Sequence, residues 1–410
     1  MTDDDPVFDD PSPPAIQLRD YQQECLASVE KAWQDYSRLL LVLATGCGKT
    51  VIFSREAQIT VERGGKVLIL AHTDELLEQA IDKLQRTTGL TAEKEKANSI
   101  ASPYAPVVVA SIQTLSRVNR LTGFVDDHFS LVIVDETHRS LAPSYQRVMN
   151  YFHFGKESLV ENWQPPPPGV PYQPKSRVLG VTATADRGDK RTLGEFFQHC
   201  AYEYGLLEAC RDGYLVRPIV KNIPIQIDLR GIRTSRLSGQ SDFDVAELSN
   251  RIAPFLRSIA GHLANEARNR KTVCFLPSID TARMLSDALL EHGMDASFVS
   301  GACPDREQKI AAFHAKGHGS VICNAMLLTE GWDCPDASCI CVLRPTKIRS
   351  LFTQCVGRAT RTLPGVIDGL LTSTDRHAAI AASPKPNMLI IDFLWLTDRL
   401  DLVKPIDLVA

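Results

Sequence analysis

Short uninterrupted apolar runs, not alternating ones, set the rhythm of this chain. Leu39–Leu43, Lys66–Leu70, Val107–Ala110, Leu131–Val134 and Val178–Val181 form a first series. Thr272–Leu276, Ala296–Val299, Ser320–Cys323, Ile340–Leu343 and Met388–Phe393 form a second. Runs of this length without polar alternation predict strands buried on both faces, the signature of a parallel sheet. Between them, helical patterning is expected around Tyr21–Tyr36, from Thr50 onward, and over Asp74–Gln85, Ile279–Glu291 and Asp305–Ala315. A repeated strand-then-helix order predicts the α/β class, with two tandem domains, each a mostly parallel sheet flanked by helices.

The punctuation of the chain supplies a domain scheme. Residues 1–15 are acidic and proline-rich and read as disordered. A first domain is expected over 16–215, a linker and domain entry over 216–245, a second domain over 246–395 and a tail over 396–410. Gln164–Gly169 holds four successive prolines, so it is expected to be a surface excursion. At 410 residues the chain is too long for one ordinary core.

Composition narrows the setting. The eleven cysteines lie mostly inside apolar runs, as in Val273-Cys274-Phe275, which predicts free thiols in a reducing cytoplasm. Cys334, Cys339 and Cys341 have poor spacing for zinc. No basic segment leading into an apolar run opens the sequence, and no stretch of 18 apolar residues occurs, so neither secretion nor membrane association is expected. The net charge of −4 weighs mildly against a nucleic-acid partner, although a local groove suffices for one.

The candidate chemistry lies at the ends of the apolar runs. Leu39–Leu43 feeds into Thr45-Gly46-Cys47-Gly48-Lys49-Thr50, a glycine loop opening a helix. Backbone amides there can face phosphates, Lys49 can reach the β and γ phosphates of ATP, and the Thr50 hydroxyl can ligate Mg2+. The long form of this loop would have glycine where Leu43 stands. Leu131–Val134 ends in Asp135-Glu136-Thr137-His138. Asp135 is the expected magnesium ligand and Glu136 the group that polarises water, with His138 a candidate for coupling. Gln22, with Arg19 nearby, has an amide suited to an adenine edge. Gln354-Cys355-Val356-Gly357-Arg358-Ala359-Thr360-Arg361 places two arginines three apart, a spacing at which both can lie on one face of a helix.

These blocks, with Ala71–Gln79, Ala110–Leu115, Gly180–Arg187, Phe275–Ala282 and Asn324–Pro335, resemble in order the motifs of a superfamily 2 DExH-box helicase or translocase. The likeness is to the group of type III restriction motor subunits and the RadD and XPB-like DNA motors. It implies two RecA-like domains with an ATP cleft between them. It further implies that Gly331, Asp333 and Gln354 contact nucleotide, and that Arg358 and Arg361 reach the γ-phosphate, Arg361 as the finger. Thr182 and Thr184 resemble the segment that couples hydrolysis to movement. His72, Thr73, Gln113, Thr114, Pro277, Ser278, Gly301, Arg344 and Thr346 fall at positions resembling those that hold a strand backbone. The third position of the acidic box, Thr137, is alanine in many relatives.

The expectation is thus an ATP- and magnesium-dependent motor, monomeric, with DNA favoured and RNA possible. The rival readings are a duplex translocase that does not separate strands, an RNA helicase, and a nucleotide-gated module that recruits a protein partner.

Overall fold

The apolar runs become strands almost where the pattern places them. A computed structural model describes residues 17–137, 142–152, 177–183, 193–225, 227–237, 240–325, 334–344 and 356–393. The proline-rich 164–169 lies outside them, as do the segments 1–15 and 396–410. The chain divides into two compact units. One runs through Leu40 and takes in Thr50–Gly180 and Gly194–Tyr202; the other gathers Leu41–Lys49, Val181–Leu193 and the chain from Glu203 onward.

The first sheet has seven strands: β1 (Arg38–Leu43), β2 (Val67–Ala71), β3 (Glu93–Glu95), β4 (Val107–Ser111), β5 (Leu131–Asp135), β6 (Arg177–Thr182) and β7 (His199–Tyr204), in the order β3-β4-β2-β5-β6-β1-β7. β2 pairs in parallel with both β4 and β5. Every residue of β1, β2 and β4 is buried, as an apolar strand covered on both faces requires.

Among the described residues, three of the longer helices of this half carry or adjoin candidate site residues. α1 (Asp20–Ala32) buries Tyr21, Cys25, Val29 and Ala32, a single face at helical spacing. It ends before the expected Tyr36, and the chain tightens there through Gln34 N–H to Lys31 O and Tyr36 N–H to Ala32 O. α2 (Lys49–Glu62) follows the glycine loop. α3 (Asp74–Thr88) is capped by the Thr73 hydroxyl, which accepts from Leu76 N–H at 3.3 Å, and is stopped by Gly89 at φ +75°.

The second sheet contains β8 (Pro218–Asn222), β11 (Thr272–Phe275), β12 (Asp295–Val299), β13 (Ser320–Asn324), β14 (Cys339–Val342) and β15 (Met388–Asp392), in the order β12-β13-β11-β14-β15-β8. All five junctions are parallel. β8 arises within 216–245, so part of that segment is an edge strand of this sheet. The rest includes an antiparallel hairpin, β9 (Thr234–Leu237) with β10 (Gln240–Phe243). The ten cysteines among the described residues are free thiols. Cys274 stands abreast of both Cys323 and Cys341 in the sheet register, all three fully buried.

One buried carboxyl belongs to the packing and not to the chemistry. Glu56 of α2 is 2% exposed and accepts from Trp33 Nε1 at 3.3 Å. Burial pushes its carboxyl up to about 7, against the smaller opposing pull of the Trp33 N–H. Because the folded chain keeps this proton above the pKa of the unfolded chain, the stabilisation it brings is full below that value and is lost as pH rises through about 7. The linkage is worth at most about 3 kcal/mol. Glu56→Gln keeps an acceptor for Trp33 and cannot ionise. The wild type should therefore lose stability, read as melting temperature, relative to this variant as pH rises from about 4.5 to about 7, with no further divergence above that. Parallel profiles would show that Glu56 does not titrate in this range.

Candidate nucleotide site

The glycine loop takes its shape from both ends. β1 is buried to Leu43, and Ala44 N–H is held by Tyr204 O at 2.9 Å, so the chain leaves the sheet at a fixed point. Cys47 N–H then turns back onto Ala44 O at 3.0 Å, with the Cys47 side chain fully buried. Gly46 at φ +93° and Gly48 at φ +69° supply the left-handed backbone that aims the loop, and α2 begins at Lys49. This curl, opening directly into a helix N-terminus, fits a polyphosphate. Thr45, Lys49 and Thr50 are half-buried, as groups that meet a ligand would be.

The loop is packed within its own compact unit by the arginine segment. A Cβ on Gly46 would stand 3.0 Å from Leu215 Cδ2 and 3.1 Å from Arg361 Cγ, and one on Gly357 would stand 2.6 Å from Thr45 Cβ. Gly357 therefore allows a close approach that a Cβ would block, and at Gly46 a side chain would be strained by the positive φ and crowded by its neighbours. The arginine backbone is pinned by an isolated bridge between Leu215 and Arg361, by Val216 N–H to Thr360 O at 2.7 Å, and by Lys385 Nζ to Arg361 O at 2.7 Å. The expected shared helix face is not formed. Val356 and Gly357 are helical, Arg358–Thr360 is a turn and Arg361 is extended in the bridge, so the two arginines leave different local structures. The backbone pairing with Leu215 outcompetes helix continuation, and nothing in the local sequence announces it.

The acidic box behaves as a strained turn at the end of β5. Glu136 has φ +52°, a left-handed conformation that a residue with a side chain adopts at a cost, and its N–H donates to Asp135 Oδ1 at 3.0 Å. Thr137 is fully buried, and its hydroxyl donates to Val134 O at 3.4 Å. Its methyl lies over β6: a Cβ on Gly180 would come within 2.7 Å of Thr137 Cγ2 and 2.4 Å of Phe197 Cζ. Gly180 is what accommodates threonine in the third position, a pairing that inspection of the box alone misses. Thr182, at the end of β6, is 1% exposed. In α1, Gln22 is 4% exposed and its Oε1 accepts from Arg19 N–H at 3.0 Å, so the cap fixes the orientation of the amide.

The residues read as strand contacts fall into two groups. In the first unit, Gln113 Nε2 donates to His72 O at 3.0 Å and the Ser111 hydroxyl bonds to Gln113 Oε1 at 2.7 Å, tying the 72–73 and 111–114 blocks together. In the second, Ser278 caps the helix Ile279–Glu291, accepting from Thr281 N–H at 3.3 Å, beside the buried Pro277. Gly301 is exposed, with open space where a Cβ would stand. Arg344 differs from the expectation of an outward contact: it is 6% exposed and lies 3.6 Å from Asp242, itself 1% exposed, on β10. A guanidinium brought into the interior needs a buried carboxylate beside it, and the hairpin supplies one. His138, Thr184, Gly331, Asp333, Thr346 and Gln354 lie outside the described residues.

Comparison with known proteins agrees with this layout. Residues 15–187 match the family described as type III restriction enzyme, res subunit, and residues 254–362 match the helicase conserved C-terminal domain. The chain is 32% identical over 364 residues to the Saccharomyces cerevisiae protein IRC3, provisionally named an ATP-dependent helicase, covering 84% of this chain and 49% of that protein. It is 32% identical over 365 residues to irc3 of Schizosaccharomyces pombe, provisionally named a mitochondrial ATP-dependent helicase, covering 87% and 57%. The chain thus spans about half the length of the curated relatives it matches. Among solved structures, a fragment assigned to the HsdR subunit of a type I restriction enzyme from Vibrio vulnificus YJ016 superposes with a TM-score of 0.66 at 20% identity, covering 96% of this chain and 68% of that one.

Proposed function

Since the chain belongs to the superfamily 2 helicases related to restriction-enzyme motor subunits, we propose that it is an ATP-driven motor that moves along DNA. The observation that supports this most is the packing of Thr45 and Gly46 against Gly357 and Arg361, which sets a phosphate cradle and an arginine side by side.

In this reading the amides of Gly46–Lys49 cradle the phosphates and Lys49 holds the terminal one. Gln22, its amide oriented by Arg19, reads the base. Thr50 and Asp135 would hold Mg2+, which offsets the charge of the polyphosphate. Glu136 orients and deprotonates the attacking water, and Arg361 stabilises charge as the phosphoryl group transfers. Thr137, packed on Gly180, links the acidic box to β6 and so to Thr182. The cytoplasm is the setting we infer from the free thiols, and one chain carries every group named here.

DNA is favoured over RNA because the matched families include restriction-enzyme motors. Movement and strand separation are distinguished by two substrates offered with ATP: a duplex bearing a triplex-forming third strand, and a fork. A DNA motor displaces the third strand, and release of the fork strand adds unwinding. Retention of both with ATP consumed would overturn the DNA-motor reading.

A further inference from the structure

Between the helix Ser373–Ala382 and β15 the chain runs Ser383-Pro384-Lys385-Pro386. Pro384 has a fixed φ and Pro386 steers the residue before it toward extended backbone, so this connector has little freedom. It is also tied to the helix: Lys385 N–H donates to Ser383 Oγ at 3.1 Å, and that hydroxyl donates to Ile380 O at 2.8 Å. Lys385 is 2% exposed. Taking an ammonium out of water is costly unless acceptors replace the water. Two carbonyls do so here: Lys385 Nζ donates to Arg361 O at 2.7 Å and to Pro335 O.

These carbonyls lie 24 and 50 residues away in sequence, in different segments. Pro335 opens a turn that other bonds already fix. Ala337 N–H reaches Cys334 O at 3.1 Å, the buried Cys334 thiol donates to Asp336 Oδ1 at 3.0 Å, and Asp336 Oδ2 accepts from Lys271 Nζ at 2.7 Å. Lys271 is 1% exposed and also donates to His314 O and Lys316 O, so the turn is anchored within the second unit. Arg361, by contrast, pairs with Leu215 through an isolated bridge, with its Cγ close to Gly46 of the phosphate loop. An isolated bridge lacks the neighbouring ladder bonds that fix a strand, and a catalytic group misplaced by about 1 Å can lose about 100-fold in rate. We propose that Lys385 is a positioning residue for ATP hydrolysis: its ammonium references the Arg361 backbone to the fixed 334–337 turn and so sets where the guanidinium meets the phosphates. This inference rests on the reading of Arg361 as the finger of an ATP-driven motor.

Steady-state ATP hydrolysis with saturating polynucleotide tests it on the full chain, each variant being assayed below its own melting temperature. Lys385→Met keeps the stem and loses the donor, so kcat should fall about 10- to 100-fold with KM for ATP within a few-fold of wild type. Lys385→Arg, which can still donate to both carbonyls, should recover much of the rate. The decisive comparison is made in the Arg361→Ala background. A residue that acts through Arg361 has nothing left to position there, so adding Lys385→Met should change kcat by less than about 3-fold. Should Lys385→Met fail to fold, Lys385→Gln, which keeps a donor without the charge, carries the same comparison. A wild-type kcat in the Lys385 variant, or an equal loss with and without Arg361, would overturn this inference alone. A wild-type kcat in Arg361→Ala would overturn the finger assignment along with it, and no hydrolysis by the wild type would overturn the motor reading itself.

Discussion

Replacing Glu136 by glutamine should lower kcat for ATP hydrolysis by about 100- to 10,000-fold, the range for losing a general base, with KM near the wild-type value. The substitution isolates the chemistry. Glutamine has the shape of glutamate and meets the same cost at φ +52°, so the turn held by Asp135 and by buried Thr137 should persist. Only the ability to accept a proton from water is removed. Steady-state turnover with saturating polynucleotide checks it. A kcat within a few-fold of wild type would assign the base to another group.

Arg361→Ala carries the second large effect. An arginine finger stabilises negative charge that grows only in the transition state, and its loss costs about 10³-fold or more in kcat. Truncation should leave the local fold intact, because the segment is held through its backbone, by the bridge to Leu215 and the Lys385 bond to Arg361 O. Arg361→Lys should recover only part of the rate, since an ammonium cannot reproduce the planar fork. Turnover of both variants, with ATP affinity measured alongside, separates catalysis from binding. If Arg361→Ala kept the wild-type kcat and Arg358→Ala lost it, the finger would be Arg358.

What the sequence disclosed and what it hid depend on burial. The central strands β1, β2, β4, β5 and β6 carry polar residues only at their ends and are otherwise apolar because neighbours cover both faces, and each lies within a residue or two of its expected place. The strands that escaped are edges. β3 is Glu93-Lys94-Glu95, β7 mixes exposed and half-buried positions, and β8 is largely exposed. An edge strand is covered less completely, so its residues need not be apolar and its pattern fades. The β9–β10 hairpin escaped for a different reason. Its role in the second unit depends on Asp242 meeting Arg344, a pair about a hundred residues apart in sequence.

The site was legible to the same degree. The loop at 45–50 and the acidic box are local motifs whose residue types and spacing are enough to propose their chemistry. The backbone bridge that takes Arg361 out of a helix, and the glycine that makes room for Thr137, are products of tertiary packing. Gln22 shows how one residue can serve both levels, since the bond that caps α1 also orients the amide expected to meet the base.

The most direct test of the motor is steady-state ATP hydrolysis by the wild-type chain in Mg2+, alone and then with single-stranded DNA, duplex DNA, forked DNA and RNA. A DNA motor should turn over slowly as the free protein and be strongly stimulated by DNA, with RNA less effective. A rate that no polynucleotide changes would contradict it.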